Sequence, residues 1–341
     1  MSIFEIDPDI CRARTLASEF YTDPQYFELS KEKIFARSWQ CVGDASASET
    51  LRPITLLPGF LDEPLLLTKN GDRVNCLSNV CTHRGKILID EPCDANLIRC
   101  GYHGRRFSLD GKFLSMPEFE GVEDFPSETD NLPQVPFQQI GEFIFASIDP
   151  ISSLDEFLDG SNIDYAAEFS GLRLMEKRTY EVDVHWALYC ENYLEGFHIP
   201  YVHHGLNAII DYGSYTTETF RYSSLQTALS ESPALAGGGE VAAKYLFVFP
   251  NTMFNFYPWG ISVNVVRPIS PSSSAIEFFT YVREGSDGPD DLLHAVEVED
   301  EAVVESVQRG IRSRFYSNGR YSPTREQGTH HFHGLIAEYM K

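Results

Sequence analysis

The sequence predicts an α+β protein, with a small all-β domain followed by a domain in which an antiparallel sheet is crossed by a long helix. Three observations carry this expectation. Between about residues 41 and 150, short β-type runs are punctuated by Asn70-Gly71 and Asp110-Gly111, both strong two-residue hairpin signals. Between 244 and 283, runs rich in aromatic and β-branched residues follow one another at strand length. After Gly288-Pro289, Leu292, Val296, Val303 and Val307 recur at helical spacing. With 341 residues, 43% hydrophobic and 13% aromatic, the chain can fill two cores.

Taken in order, residues 1–40 form a lead-in region. Asp23-Pro24 opens a helix there, and Phe27, Ile34, Phe35 and Trp39 lie near helical spacing. The all-β domain spans 41–150. Pro64–Lys69 and Arg73–Leu77 flank the first hairpin turn, and Arg106–Leu109 and Lys112–Met116 flank the second. Phe143–Ile148 reads as the closing strand, and Asp149-Pro150 opens a polar linker. In 151–341, Thr179–Val184 reads as a strand and Trp186–Phe197 as a helix ended near Pro200. Lys244–Phe249, Thr252–Tyr257, Ile261–Arg267 and Ala275–Arg283 supply the sheet. Gly237-Gly238-Gly239 follows no clear strand and precedes no phosphate-loop lysine, so it reads as a flexible turn.

Composition removes several function classes. A formal charge of −23 is the reverse of the basic footprint that nucleic acid requires, and it suits steering of a basic redox partner. No run approaches twenty apolar residues, and the N-terminal MSIFEIDPDI has neither a basic nor an apolar export region, so a soluble cytoplasmic protein with no membrane partner is expected. Seven cysteines show no disulfide rhythm. Cys11, Cys41, Cys76, Cys93 and Cys190 are expected to be small buried hydrophobes.

The other two cysteines belong to Cys81-Thr-His83 and Cys100-Gly-Tyr-His103, separated by sixteen residues. Each pair offers one thiolate and one imidazole, whereas a Cys₂His₂ zinc finger uses a Cys pair followed by a His pair. Glycines flank both pairs (Gly85, Gly104) and enter the second (Gly101), as tight loops around a cluster require. The mixed set resembles the Rieske [2Fe–2S] centre, in which replacing thiolate by neutral imidazole raises the reduction potential.

A second constellation lies at Glu191, Asn192, Glu195, His198 and His203. On a continuous helix Glu191, Glu195 and His198 share a face. His198 and His203, with His204 as the local alternative, and one carboxylate would give a two-histidine, one-carboxylate site for iron(II) with positions left open for dioxygen.

Together, Cys-x-His, Cys-x-x-His and Asn-x-x-Glu-x-x-His-x₄-His resemble the catalytic α subunit of Rieske non-haem iron oxygenases, along essentially the whole chain. The resemblance implies a helix-grip-like catalytic domain, a cluster on Cys81, His83, Cys100 and His103, and iron on His198, His203 and an acidic residue of the long C-terminal helix. Asp300 is placed in that last role, with Glu299 and Glu301 as rivals. The resemblance also gives Asn192 and Glu195 catalytic roles, Glu195 bridging the two metal sites across a homotrimer interface. Electrons would come from NAD(P)H through a separate ferredoxin or flavin reductase, and dioxygen would be the co-substrate. Glutamate at position 195 is similar to the branch acting on choline, glycine betaine and carnitine, for which Phe254, Phe256, Tyr257 and Trp259 are candidate cation–π rings. An aromatic ring-hydroxylating dioxygenase, serving aromatic compound catabolism, is the enzymatic alternative. A bare Rieske electron carrier is the other.

Overall fold

The computed structural model describes residues 4–45, 48–71, 73–208, 210–229, 241–286, 288–289 and 292–341; the glycine run 237–239 lies outside them. The chain divides into two units, Gln40–Pro150 and Met1–Trp39 with Ile151–Lys341.

Among its described residues the first unit holds nine short strands: β1 (Gln40–Asp44), β2 (Leu51–Leu56), β3 (Glu63–Asn70), β4 (Arg73–Ser78), β5 (Ile98–Arg99), β6 (Arg106–Phe107), β7 (Phe113–Ser115), β8 (Phe137–Ile140) and β9 (Phe143–Ala146). They form three antiparallel sheets, ordered β1-β9-β8, β2-β3-β4 and β5-β6-β7. Both hairpin signals lie between paired strands, with Gly71 at φ +61° and Gly111 at φ +83°. Leu51, Leu66, Leu77, Ile98, Phe107 and Leu132 fill a core that also takes in Cys81 and Cys100.

Among the described residues, Arg105 is the most deeply buried charge of this unit. Arg105 is 2% exposed; it donates to Asp130 Oδ1 at 2.6 Å and lies within 5.6 Å of the Phe107, Phe113 and Phe125 ring centres. Asp130 in turn accepts from the Ser127 backbone N–H at 2.7 Å. The aromatic faces and the carboxylate replace the water that the guanidinium has lost.

In the second unit Asp23 caps α2 (Pro24–Ser30), which follows α1 (Ser18–Thr22) and runs into one wide turn at Lys31–Phe35. Phe27, Ile34, Phe35 and Trp39 are all buried. Short helices α3 (Leu154–Leu158) and α4 (Tyr165–Glu168) lead to a seven-stranded antiparallel sheet. Its strands are β10 (Leu172–Val182), β11 (Thr216–Thr219), β12 (Ser223–Leu229), β13 (Val241–Val248), β14 (Thr252–Tyr257), β15 (Gly260–Ser270) and β16 (Ser273–Arg283), in the order β10-β16-β15-β14-β13-β12-β11. β11 and β12 escape the sequence pattern because Ser223, Ser224, Thr216 and Thr217 give them no apolar run.

α5 covers only Trp186–Tyr193, so the expected helix to Phe197 ends four residues early. The reason is local. The Glu195 carboxylate accepts from the backbone N–H groups of Phe197 and His198, offering them an alternative to the helical carbonyls. The chain then makes two single turns, α6 (Ile199–Val202) and α7 (His204–Asn207), with His203 between them. Long α8 (Leu292–Gly310) and C-terminal α9 (Gln327–Met340) complete the unit. Gly328 of α9 presses on the Leu194 carbonyl so closely that a Cβ there would collide with it. No described helix is long and apolar enough to cross a membrane.

Arg105→Ala should cost the first unit about 3 kcal/mol, the lower end for breaking a buried ion pair because Asp130 retains some water. Chemical denaturation followed by circular dichroism would measure it, and Arg105→Lys should recover only part of the deficit.

Candidate metal centres and the adjoining cavity

Cys81-x-His83 and Cys100-x-x-His103 occupy two loops built on one template. The Cys81 N–H donates to the Lys86 carbonyl (2.8 Å) and the Gly85 N–H to the Cys81 carbonyl (3.0 Å). Cys100 N–H to Arg105 O (2.8 Å) and Gly104 N–H to Cys100 O (3.1 Å) repeat the pattern. The turns close through left-handed glycines, Gly85 at φ +71° and Gly104 at φ +74°, a conformation that a side chain would strain.

The four donors form two pairs, not one ring. Both thiols are buried and interact with each other, while His83 Nδ1 and His103 Nδ1 face each other at 3.2 Å. Among the described residues, the only group of three donors gathered within 4.8 Å lies elsewhere. A thiol pair and an imidazole pair suit a two-iron centre with thiolates on one iron and imidazoles on the other, and do not suit one tetrahedral zinc. Burial, followed by the neighbouring His103, lowers the pKa of His83 and favours the neutral imidazole that binds metal. The Tyr102 N–H points at Cys100 Sγ at 3.5 Å, and its exposed ring lies on His103 with centroids 3.7 Å apart.

The second centre is the converging trio itself, His198, His203 and Asp300. The two Nε2 atoms are 3.1 Å apart, and Asp300 Oδ1 lies 3.1 Å from His203 Nε2 and 3.5 Å from His198 Nε2. Each ring is held from behind by a carboxylate: His198 Nδ1 by Glu195 Oε1 at 2.8 Å, His203 Nδ1 by Glu299 Oε2 at 2.7 Å. Such pairs fix the ring and strengthen Nε2 as a donor. Burial resists a charge on His203, yet Asp300 and Glu299 prevail and hold its pKa above the ordinary value. The pocket between the donors therefore attracts positive charge, and the donor set fits iron(II).

Of the expected residues, Asn192 donates to Asp300 Oδ1 at 2.6 Å and so aims the carboxylate. Glu299 backs a histidine, and Glu301 and His204 fall outside the trio. The expected shared helical face of Glu191, Glu195 and His198 does not exist, because α5 has ended before Glu195. Glu191 points instead to Tyr21 (2.7 Å) and to buried His333 (3.1 Å). His330 and His333 serve as packing and hydrogen-bonding groups, on the Asp7 carbonyl (2.8 Å) and the Tyr321 hydroxyl (2.5 Å) respectively. Cys76 and Cys190 are buried as expected, whereas Cys11 and Cys93 are exposed and Cys41 is half-buried.

A cavity of about 360 Å³ opens beside the trio. Its walls carry Tyr189, Tyr193, Tyr215, Tyr245 and Tyr257, with Asn255, Ser262, Asn264 and Glu297. Of the four rings nominated from sequence only Tyr257 lines it. Trp259 stacks on Tyr257, while Phe254 and Phe256 pack on Phe169. The other tyrosines lie on elements without a shared period, so no local pattern exposes them. Glu297 escaped the sequence reading, although it stands three residues before Asp300 on the same helical face, the signal that could have found it. Burial pushes its carboxyl up to about 8, against the pull of the Tyr189 hydroxyl, which donates to it at 2.7 Å.

Residues 38–126 match the family described as the Rieske [2Fe-2S] domain, and residues 169–341 match the ring hydroxylating alpha subunit (catalytic domain). The chain is 30% identical to chloroplastic choline monooxygenase of Arabidopsis thaliana, over 99% of its length and 86% of that protein. It is 29% identical to the carnitine monooxygenase oxygenase subunit of Escherichia coli strain K12, over 96% and 94%. The quaternary ammonium Rieske monooxygenase CntA in complex with L-carnitine superposes with a TM-score of 0.79 at 26% identity, covering 99% of this chain and 100% of that one. Naphthalene 1,2-dioxygenase shares the fold, with a TM-score of 0.74 at 17% identity over 100% and 95%.

Glu299→Gln should weaken iron retention by about tenfold or more, through loss of a carboxylate partner behind a metal-binding imidazole. Iron released to a chelator over time gives the measurement, and the absorbance of the cluster should not change.

Proposed function

The chain belongs to the family of Rieske non-haem iron oxygenase catalytic α subunits, and on that footing we propose a terminal oxygenase that hydroxylates a small quaternary ammonium compound. Where the oxidised carbon is an N-methyl group, demethylation follows. The observation that carries this reading is the cavity wall: the Glu297 carboxyl and several tyrosines stand beside the donor trio, while Arg178 of the same wall is paired with Glu176 and His294 with the Tyr180 hydroxyl, a lining that suits a cation better than an aromatic hydrocarbon. The choline and carnitine monooxygenase relatives support the same substrate class. A bare electron carrier does not need the catalytic domain matched over 169–341.

In this reading Cys81, Cys100, His83 and His103 hold the cluster, and His198, His203 and Asp300 hold the iron. When bound, the cluster supplies single electrons and the iron a place to activate dioxygen. The protein's own part is positional. Asn192 keeps Asp300 aimed at the histidines, and Glu195 and Glu299 keep both Nε2 atoms turned inward. The tyrosine wall keeps bulk water from the reacting carbon. Glu195 lies 15% exposed on its turn, holding His198 Nδ1. We assign it the link between His198 and His103 of a second copy in a homotrimer, a relay for which the inter-subunit electron transfer described for a quaternary ammonium Rieske monooxygenase offers support. Electrons reach the cluster from NAD(P)H through a separate ferredoxin or flavin reductase. The reducing cytoplasm suits thiolate ligation.

The purified protein should contain about three irons per chain, two for the cluster and one mononuclear. Asp300→Ala should fall to two while keeping the Rieske visible and EPR spectra. Glu299→Ala or Glu301→Ala losing a whole iron while Asp300→Ala kept it would move the assignment.

Glu195→Gln should hold its mononuclear iron more weakly, as Glu299→Gln does, and once reconstituted to three irons per chain it should still reoxidise the reduced cluster about tenfold or more slowly, because a carboxylate that orients an imidazole is lost. Single-turnover stopped-flow with substrate and oxygen reads this directly. An unchanged rate at full iron occupancy, or a monomer in solution, would remove the relay.

A further inference from the structure

We propose that Glu297 is the specificity-determining residue of the cavity: its carboxylate recognises the substrate's positive charge and sets the charged nitrogen one helical turn from Asp300. The inference rests on the substrate class proposed above and names the group that selects for it.

Glu297 lies on α8, 6% exposed, in the cavity wall. Among the described residues its one side-chain hydrogen bond comes from the Tyr189 hydroxyl, at 2.7 Å. Among the described residues no Lys, Arg or His forms an ion pair with it. The basic groups of the cavity wall are engaged elsewhere: Arg178 with Glu176 at 2.7 Å, His294 with the Tyr180 hydroxyl at 2.7 Å, His198 with Glu195 at 2.8 Å, and His203 with Glu299 and Asp300 at 2.7 and 3.1 Å. A carboxylate withdrawn from water without an opposite charge is costly. That cost is why this carboxyl holds its proton to about 8, and a cationic ligand would take the proton's place.

A quaternary ammonium has no N–H to donate, so shape and charge are the only features by which it can be read. Shape alone cannot separate it from the equivalent tert-butyl group. The tyrosine faces contribute to both, and cation–π attraction adds a modest preference for the ion. A carboxylate in a site of low dielectric adds a much larger one. Position matters as well. Residues three apart on a helix stand about 5–6 Å apart at Cβ, so a nitrogen held by Glu297 presents a carbon bonded to it towards the trio. The carbon selected for oxidation is therefore one attached to the cation.

A plain structural role predicts something different. The Tyr189–Glu297 bond also ties α5 to α8, and if that were its whole purpose, losing it would loosen the cavity for every ligand alike.

Calorimetric titration of the holoenzyme with matched pairs separates the two: choline against 3,3-dimethyl-1-butanol, and glycine betaine against 3,3-dimethylbutanoate. The wild type should prefer the cation by about tenfold or more within at least one pair, as expected for an ion facing a buried carboxylate. In Glu297→Gln, which retains shape and the Tyr189 contact, the preference should shrink to about threefold or less, by loss of cation affinity alone, leaving the weaker cation–π term. Glu297→Asp should keep part of it, and both variants should keep three irons per chain. Full preference in Glu297→Gln, or an equal loss for both members of a pair with a lower melting temperature, would overturn the inference while leaving the substrate class standing. A wild type that binds no trimethylammonium compound, L-carnitine included, would remove the substrate class and this inference with it.

Discussion

The seam between α5 and α8 is the contact on which the catalytic unit depends. Asn192 meets Asp300, Tyr189 meets Glu297, and the His185 N–H meets Gln308 Oε1 at 2.8 Å. The three candidate iron donors come from the loop after α5 and from a helix almost a hundred residues later, so nothing local brings them together. They converge only when α5 is seated against α8. The seam is built from hydrogen bonds between buried or half-buried polar groups, which are expensive to leave unmade and therefore specify register better than apolar packing would. Behind α5, Trp186 packs edge-on against Phe35 and Phe332, at 4.9 and 5.9 Å, holding the helix from its other side.

The two candidate metal centres solve the problem of preorganisation in opposite ways. The cluster loops are local: each closes on itself through two backbone hydrogen bonds and a left-handed glycine, and needs from the domain only a core to stand on. The mononuclear trio is global, and its precision comes from outer contacts. A carboxylate stands behind each imidazole and an amide behind the carboxylate, so each of the three donors is fixed at a second point.

That contrast explains what the sequence discloses. Cys81, His83, Cys100 and His103 are readable because ligand type and spacing within two short loops contain the whole arrangement. His198 and His203 are nearly as plain, although the shared helical face assumed for Glu191 and Glu195 dissolves once Glu195 captures the N–H groups that would have continued the helix. Asp300 stands in a run of acids that helical periodicity alone cannot resolve, and family resemblance had to choose it. In the fold, apolar alternation reveals the strands of the sheet except β11 and β12, whose serines and threonines erase the signal. The cavity is least legible. Tyr193, Tyr215, Tyr245 and Tyr257 come from a helix, a turn and two strands, and only tertiary packing decides which aromatic residues face inward and which, like Phe254, are core.

Glu297 and Asp300 stand on the same helix, a fixed axial step apart. A helix is stiff along its axis, so the spacing between the proposed charge-reading group and the candidate iron ligand would work as a ruler with one graduation. Loops and side chains around the cavity can drift over evolutionary time, admitting longer or shorter tails, without altering which atom is measured out for attack. Diversification by this scaffold would then run in one direction: tails vary freely, whereas a change in the bond that is broken requires moving a mark on the ruler itself.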